Sequence, residues 1–547
     1  MLDIYRDSPV GQCLRLLTRK RIGKYPEEDV RFDVSCLFTD RHDSAESRND
    51  ESTSPEEDIE RGQQGGGYGS SQTPTKAEHG VHLVAWYSDS DPDNPQNWSS
   101  GKKLWIGMIL FAYTFAAYIG SSLYTVSEPA IEEIFDISET AAAAGLTVYV
   151  LGYGVGPMIF SPLSEIPAVG RNLLYIVTFF LFVILCVPMA LVDNFAGIIV
   201  LRFLLGFFAS PCLATAAASY GDMYGATEMP YVIALWGGGA TLGPALGPII
   251  GGFAVEKMDW RWSTWELLWL SGPVLILMFF FLPETSPDSI LLRRAQRLRK
   301  WTGRTDLKSE SEIRQKNMNP REITYQALIK PWQINALDPA VLFSTFYTGL
   351  TYGVYYSFFE SFPLVYTEKY GFNLGQTGLC FLSVLIGLAV AVIILCAYLY
   401  FIAPKRLARL DPVPPEARIW PGLFATFCIP LGLFLFAFTA RRSIHWIVSL
   451  VGVTISMCGT FIITQCMFIY LPFTYPRYSG SLFAANGLSR SLFAGAAILF
   501  SRPMFLALGI DGGVSLLAGF SVLCVFGIYG IYYFGESLRR RSKFAGE

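Results

Sequence analysis

Gly237-Gly238-Gly239-Ala240-Thr241-Leu242-Gly243-Pro244-Ala245-Leu246-Gly247-Pro248-Ile249-Ile250-Gly251-Gly252 sits inside an apolar segment, residues 230–254, long enough to cross a bilayer. A helix in water does not tolerate that density of glycine and proline. In hydrocarbon the sequence makes sense, because the backbone has no water to bond to and stays helical. Gly239, Gly243, Gly247 and Gly251 recur every fourth position. They therefore share one helix face and let a neighbouring helix approach closely. Pro244 and Pro248 free backbone carbonyls and bend the helix. A smooth, bent, close-packed helix suits a protein whose two parts rock against each other.

Composition sets the class. Of 547 residues, 52% are hydrophobic and only 16% charged, against about a quarter charged in an ordinary soluble domain. This is a membrane protein. The formal net charge of −3 names no partner and makes no case for nucleic acid. Eight of the ten cysteines fall in apolar runs (Cys186, Cys212, Cys380, Cys396, Cys428, Cys458, Cys466 and Cys524). They read as small buried side chains rather than a disulfide framework. Residues 1–30 are charged and lack the apolar core of a cleavable signal, so the first span is expected to act as its own.

The apolar segments form a series. Spans are expected near 104–125, 141–163, 173–192, 196–219, 230–254 and 263–283. After a polar loop come 340–366, 376–402, 420–440, 444–471, 480–502 and 512–535. The domain reading follows: a tail over 1–103, a first half over 104–283, a central loop over 284–339, a second half over 340–535 and a short tail over 536–547. Residues 40–80, rich in Ser, Glu, Asp and Gly, are expected to be disordered. Tyr5 to Ile22 mixes leucines with arginines, and reads equally as a basic helix on the inner leaflet or a solvated helix. Lys and Arg set the orientation. The first loop (Glu128, Glu132, Glu133, Asp136, Glu139) has none, whereas the central loop, the loop after the eighth span and Arg539 to Arg541 are basic. Both termini are therefore expected in the cytoplasm. Arg441 and Arg442 run against the trend. Asn97-Trp98-Ser99 spells a glycosylation sequon that this topology leaves unused.

Several motifs carry a family resemblance. The span-five stretch resembles the antiporter motif G-x-x-x-G-P-x-x-G-G. Gly156-Pro157, then Pro162-Leu163-Ser164-Glu165 and Gly170-Arg171, resemble the gate motif between spans two and three, with a slightly longer stretch between Glu165 and Gly170. Leu201 to Gly206 resembles the R-x-x-x-G motif, with Leu205 where a glutamine is usual. Asp259-Trp260-Arg261-Trp262 and Leu282-Pro283-Glu284-Thr285 complete the pattern. Arg6-Asp7-Ser8 and Tyr25-Pro26-Glu27-Glu28 look like the tail of one branch, which holds multidrug and toxin exporters. The whole chain is similar to the fungal twelve-span drug:proton antiporters of the major facilitator superfamily. The resemblance implies an all-α membrane protein of twelve transmembrane helices in two six-helix, pseudo-symmetric halves.

It also implies roles. The gate motif (Gly156, Pro157, Ser164, Glu165, Gly170, Arg171) supplies charges at helix ends, Glu165 and Arg171, that pair with groups on neighbouring helices in one state and part in another. Arg202, a cation in an apolar helix, is associated in the family with proton coupling, the alternative being a structurally packed arginine. Glu360 in the seventh span is the other candidate for the proton site, or for a cationic substrate, unless it sits hydrated near the outer mouth. Arg490 with Asn486 on the eleventh span is a weaker candidate, near the cytoplasmic end, for a gate. Aromatic and polar residues of the expected cavity are Tyr118, Tyr124, Tyr347, Tyr352, Tyr355, Phe359, Gln465 and Phe468, with Asn486 and Arg490 counted among its candidates too. Such walls bind varied apolar molecules without demanding one shape.

There is no G-x-x-x-x-G-K-[ST] loop for an ATP-driven pump and no H-E-x-x-H metal motif among the four histidines. No enzyme activity, cofactor or metal is expected. The expectation is a monomeric plasma-membrane exporter of drugs, fungicides or toxins in exchange for protons, in contact with the lipid bilayer. The alternatives are a nutrient importer on the same fold and a non-transporting receptor.

Overall fold

The computed structural model describes residues 2–18, 23–28, 82–225, 227–316, 325, 329–410, 413–475 and 479–542. The segment over 40–80 and residues 19–22 lie outside the described residues.

Where one basic helix was expected near the start, α1 (Leu2–Asp7) and α2 (Pro9–Leu17) meet at Ser8, whose hydroxyl accepts from the Gly11 N–H and caps α2. Strand β1 (His82–Val84) follows. The first bundle comprises α3 (Ser100–Ser122), the short α4 (Glu128–Phe135), α5 (Glu139–Ser164), α6 (Gly170–Leu191), α7 (Phe195–Ala209), α8 (Pro211–Met223), α9 (Met229–Lys257) and α10 (Trp262–Phe281). The fourth expected span is thus two helices, parted at Ser210 just before Pro211. The central loop holds α11 (Pro287–Thr302), β2 (Leu307–Ser309), α12 (Glu310–Lys316) and α13 (Lys330–Leu337). The second bundle holds α14 (Pro339–Phe362), α15 (Leu374–Leu379), α16 (Leu382–Ala397), α17 (Ala403–Leu407), α18 (Trp420–Thr439), α19 (Trp446–Thr474) and α20 (Ser479–Arg541).

Among the described residues, ten helices are long and apolar enough to cross a membrane. One of them contains both of the last two expected spans, because α20 turns at Gly509, where φ is +75° and a side chain would be strained. The long α14, rich in Ser, Thr and Tyr, stands apart from those ten. The arrangement is consistent with twelve crossings. Outward faces are apolar, as at Leu173, Phe180, Ile393 and Phe526. The nine described cysteines are all free.

The one departure from an all-helical chain lies outside the bundles. β1 pairs in parallel with β2, His82 opposite Leu307. Beside this ribbon the tail clasps α11. Arg294 is fully buried and donates to Asp91 at 2.7 and 3.2 Å and to Asp93 at 2.8 Å. Arg297 bonds Glu27 at 2.7 Å. The Tyr25 ring is covered by the guanidinium groups of Arg297, Arg6 and Arg15 at 3.7, 4.4 and 4.5 Å. Burial, then the Asp7 carboxylate beside it, pushes the Tyr25 hydroxyl up to about 12, so it stays a donor to Asp7. Asn97 of the sequon donates to the Asp89 and Asp91 carbonyls and belongs to the same clasp.

Candidate transport path

The glycine face of α9 lies on α3. A Cβ on Gly239 would stand 3.0 Å from the Phe111 ring, and one on Gly243 would stand 2.8 Å from the Ile119 nitrogen. On Gly247 it would overlap the Ser122 hydroxyl and sit 2.9 Å from the Leu123 nitrogen; on Gly251 it would meet Val126 at 3.0 Å. Further along, α9 touches the second bundle. A Cβ on Gly252 would stand 3.0 Å from the Leu374 carbonyl, and one on Gly378 would overlap the Pro248 carbonyl. Pro244 and Pro248 are buried within the same helix. This helix is thus packed on its own bundle and braced on the other.

Arg202 is buried on α7. Its guanidinium donates to Gly120 O at 2.7 Å, Ser121 O at 3.2 Å and Gly145 O at 3.2 Å. Gly120 and Ser121 are in the last turn of α3, whose carbonyls have no partner within their helix. The cation also sits at the negative end of that helix and between the rings of Tyr149 and Tyr124, at 4.4 and 4.5 Å. In this conformation Arg202 caps α3 and forms no ion pair with a described carboxylate.

A chain of hydroxyls crosses from one bundle to the other beside it. Ser121 Oγ is 3.2 Å from the Tyr356 hydroxyl, which is 2.9 Å from Tyr153; Tyr153 is 2.6 Å from Tyr352. Tyr355 donates to Thr241 O at 3.3 Å. Next to these lies a central cavity of about 60 Å³. Of the expected residues, Tyr118, Tyr352, Tyr355, Gln465, Phe468 and Arg490 line it. Arg490 is therefore central and not an end gate. Four expectations need correction. Tyr124 lies under Arg202 and donates to Ala142 O, and Tyr347 is turned into the second bundle, bonded to Thr426 at 2.6 Å. Asn486 stands behind the wall, donating to Thr348 at 2.9 Å. Phe359 lines a different cavity. Trp236, Thr241, Thr348, Thr351, Thr460 and Thr464 also line it, with Gly237, Ala240, Met457 and Phe461. Threonines carry little signal in an apolar run, because most of them bond their own helix.

At the end carrying the acidic first loop is a second cavity of about 250 Å³, lined by Phe359, Glu360, Glu128, Glu132, Glu139, Glu368 and Arg502 among others. Glu360 is 5% exposed and has no hydrogen-bond or ion-pair partner among the described residues. Arg502 of α20 pairs with Glu139 of α5, its second contact being 2.7 Å, and reaches Glu368 at 3.7 Å. The Gly375 N–H donates to Glu256 at 3.3 Å nearby. Arg502 was not singled out from sequence, although a lone cation at the end of a span, Arg502-Pro503, was a readable signal.

At the basic end, Arg171 pairs with Asp222 at 3.0 Å, and its own N–H donates to Glu284 at 3.0 Å. Glu284 also accepts from Asn172, Thr285 and Ser286. Gly170 has φ +71°, and a Cβ there would overlap the Glu284 carboxylate. Gly156 packs on Ser210, Pro157 is buried within α5, and the Ser164 hydroxyl bonds Ser161 O. Glu165 stays outside this network although it lines the adjoining cavity. Arg171 therefore pairs with Asp222, a partner sequence reading missed. The adjoining cavity of about 290 Å³ lies between the bundles, walled by Asp222, Ile233, Phe468, Pro472 and Phe483. Between described residues, the hydrogen bonds and ion pairs joining the two bundles lie at the centre and at the acidic end, and none at the basic end.

Comparison with known proteins agrees with this architecture. Residues 110–498 match the model of the Major Facilitator Superfamily. The chain is 44% identical over 474 residues to the MFS-type transporter pyvG of Aspergillus violaceofuscus, covering 87% of each. It is 35% identical to the cycloheximide resistance protein of Candida maltosa, covering all of both chains. Among solved structures, the xylose transporter XylE from E. coli superposes with a TM-score of 0.55 at 14% identity, over 80% of this chain and 98% of that one. A chain with this helix order, these bundles and these relatives belongs to the Major Facilitator Superfamily and is a multi-pass membrane transporter rather than an enzyme.

Proposed function

We propose that this transporter is a proton-coupled exporter of amphipathic small molecules, drugs, fungicides or fungal secondary metabolites, acting as a monomer in the plasma membrane. Both termini and the central loop, residues 1–103, 284–339 and 536–547, then face the cytoplasm, and halves 104–283 and 340–535 rock about the central cavity. The observation that carries the reading is the placing of the bonds between the bundles. They join the bundles at the centre and the acidic end, and between described residues none crosses at the basic end, which supports the state in which an exporter loads from the cytosol or inner leaflet. The full-length likeness to a cycloheximide resistance protein supports drugs as cargo.

In this reading Glu360 carries the proton, because it is only 5% exposed and has no partner among the described residues in the cavity that Arg502 also lines. The less buried Glu128, with an unpartnered oxygen of its own, is its neighbour there. Arg202 holds the end of α3 beside the hydroxyl chain, and α9 is the bearing surface. Arg171, Asp222 and Glu284 lock helix ends at the loading face. The test is drug efflux from cells lacking their own pumps, with and without a protonophore, for the parent chain and Glu360→Gln. Gradient-dependent efflux that Glu360→Gln abolishes is expected. Efflux indifferent to the protonophore contradicts proton coupling, and net uptake would move the importer reading to first place.

A further inference from the structure

We infer that Arg490 makes the central cavity a site for neutral and anionic aromatic compounds carrying a carbonyl or carboxylate acceptor, and a poor site for lipophilic cations. The direction of transport rests on the exporter reading above; the binding preference does not.

Four observations meet here. Among the described residues lining the central cavity, Arg490 is the only charged one and none is Asp or Glu. The carboxylates of the acidic end belong to a separate cavity, where Arg502 faces them. The Arg490 guanidinium lies over the rings of Phe468 and Tyr352, at 5.0 and 5.1 Å, and its Nε is buried without a hydrogen-bond partner. Across the cavity Gln465, 1% exposed, also has a buried amide oxygen without a partner. That amide is held against Gly237, where a Cβ would overlap it.

A cation without a counter-ion in a low-dielectric cavity repels a second cation and attracts an acceptor. The planar guanidinium suits a carboxylate or carbonyl better than an ammonium would. Gln465 gives the opposite pole, an acceptor for an N–H or O–H. Acids, carboxamides, imides and lactams on an aromatic body satisfy both poles while the rings of Tyr118, Tyr355 and Trp236 cover the rest.

The test uses the full chain in zwitterionic lipid nanodiscs and two dyes of one skeleton, fluorescein (anionic) and rhodamine 6G (cationic), with binding read by fluorescence anisotropy. The parent chain should bind fluorescein at least tenfold more tightly than rhodamine 6G. Arg490→Gln should shrink that ratio to less than threefold, and Arg490→Lys should keep it. Equal or tighter binding of rhodamine 6G by the parent chain overturns the proposal, whatever the variants do. So does an undiminished ratio in Arg490→Gln, or no binding of either dye. Selective binding of fluorescein with no efflux of it from cells would sink the exporter reading and leave the cargo class standing.

Discussion

Replacing Arg202 by methionine separates the arginine's support of α3 from any other role. Methionine fills much of the same volume and carries no donor. Gly120 O and Ser121 O then lose their partner in a place with no water, each at a cost of about 1–3 kcal/mol. Gly145 O is within α5 and keeps its own helical bond, so it adds little. Losing the stacking on Tyr149 and Tyr124 costs about 0.5–1 kcal/mol per ring. Against this, the variant no longer buries a guanidinium, which returns part of the loss. The balance is a destabilisation of about 2 kcal/mol or more, from two orphaned acceptors at the lower end of their range. Arg202→Lys should fall between, since one ammonium reaches one carbonyl where the fork reaches three. The assay is equilibrium unfolding of the purified chain in mixed micelles by increasing SDS. A methionine variant as stable as the parent would refute the capping argument and leave Arg202 a purely functional residue.

Three further outcomes follow from the geometry. Gly247→Ala should cost about 1–3 kcal/mol by overpacking against Ser122 and Leu123, whereas Gly238→Ala, which meets nothing within 4 Å, should be neutral or stabilising in the same unfolding assay. Arg502→Gln removes a half-exposed ion pair worth about 0–1 kcal/mol, so a cysteine placed at Leu374 in the acidic-end cavity should react with an external thiol reagent up to about fivefold faster; a slower reaction contradicts the closure. Burial opposes the charge on Asp91, but Arg294 and the N–H groups of Tyr87 and Asp93 outweigh it and hold its pKa below the usual value. A depressed folded pKa stabilises above the unfolded value of about 3.9 and is lost only as pH falls through the folded one. Spin labels on the tail and on α11 should therefore stay at one distance from pH 7 to about 4 and separate only below that; separation at pH 5–6 would rule this out.

The spans were legible because bilayer thickness fixes their length and hydrocarbon fixes their composition. The close face of α9 was legible because spacing alone puts four glycines on one side. Partners were not. Arg171 was expected to pair with a group on a neighbouring helix, and it does, but nothing in the sequence says that the group is Asp222, 51 residues later. Tyr124 and Tyr347 were grouped with the cavity because period places an aromatic on a helix without saying which neighbour faces it. Arg490 was expected at a gate near the cytoplasmic end although the expected span 480–502 already centres on it; what the sequence leaves open is which helices face it. The clasp around Arg294 was invisible: aspartates, a tyrosine and an arginine in polar segments read as solvated until the chain brings them together.

That clasp has a consequence for synthesis. Asp91 meets a partner made 203 residues later, a wait of roughly 10–40 s at about 5–20 residues per second. All of α3 to α10 is translated in the interval. Asp91 must wait for its guanidinium through that time, with the N–H groups of Tyr87 and Asp93 to bond it, while Asp93 already has Arg6 to pair with, in a chain already attached to the membrane. Their capture by Arg294 can occur only after the last helix of the first bundle has left the ribosome. Tail closure is thus a chemical timestamp on the nascent chain, and a ribosome arrested before α11 should leave the tail open to protease.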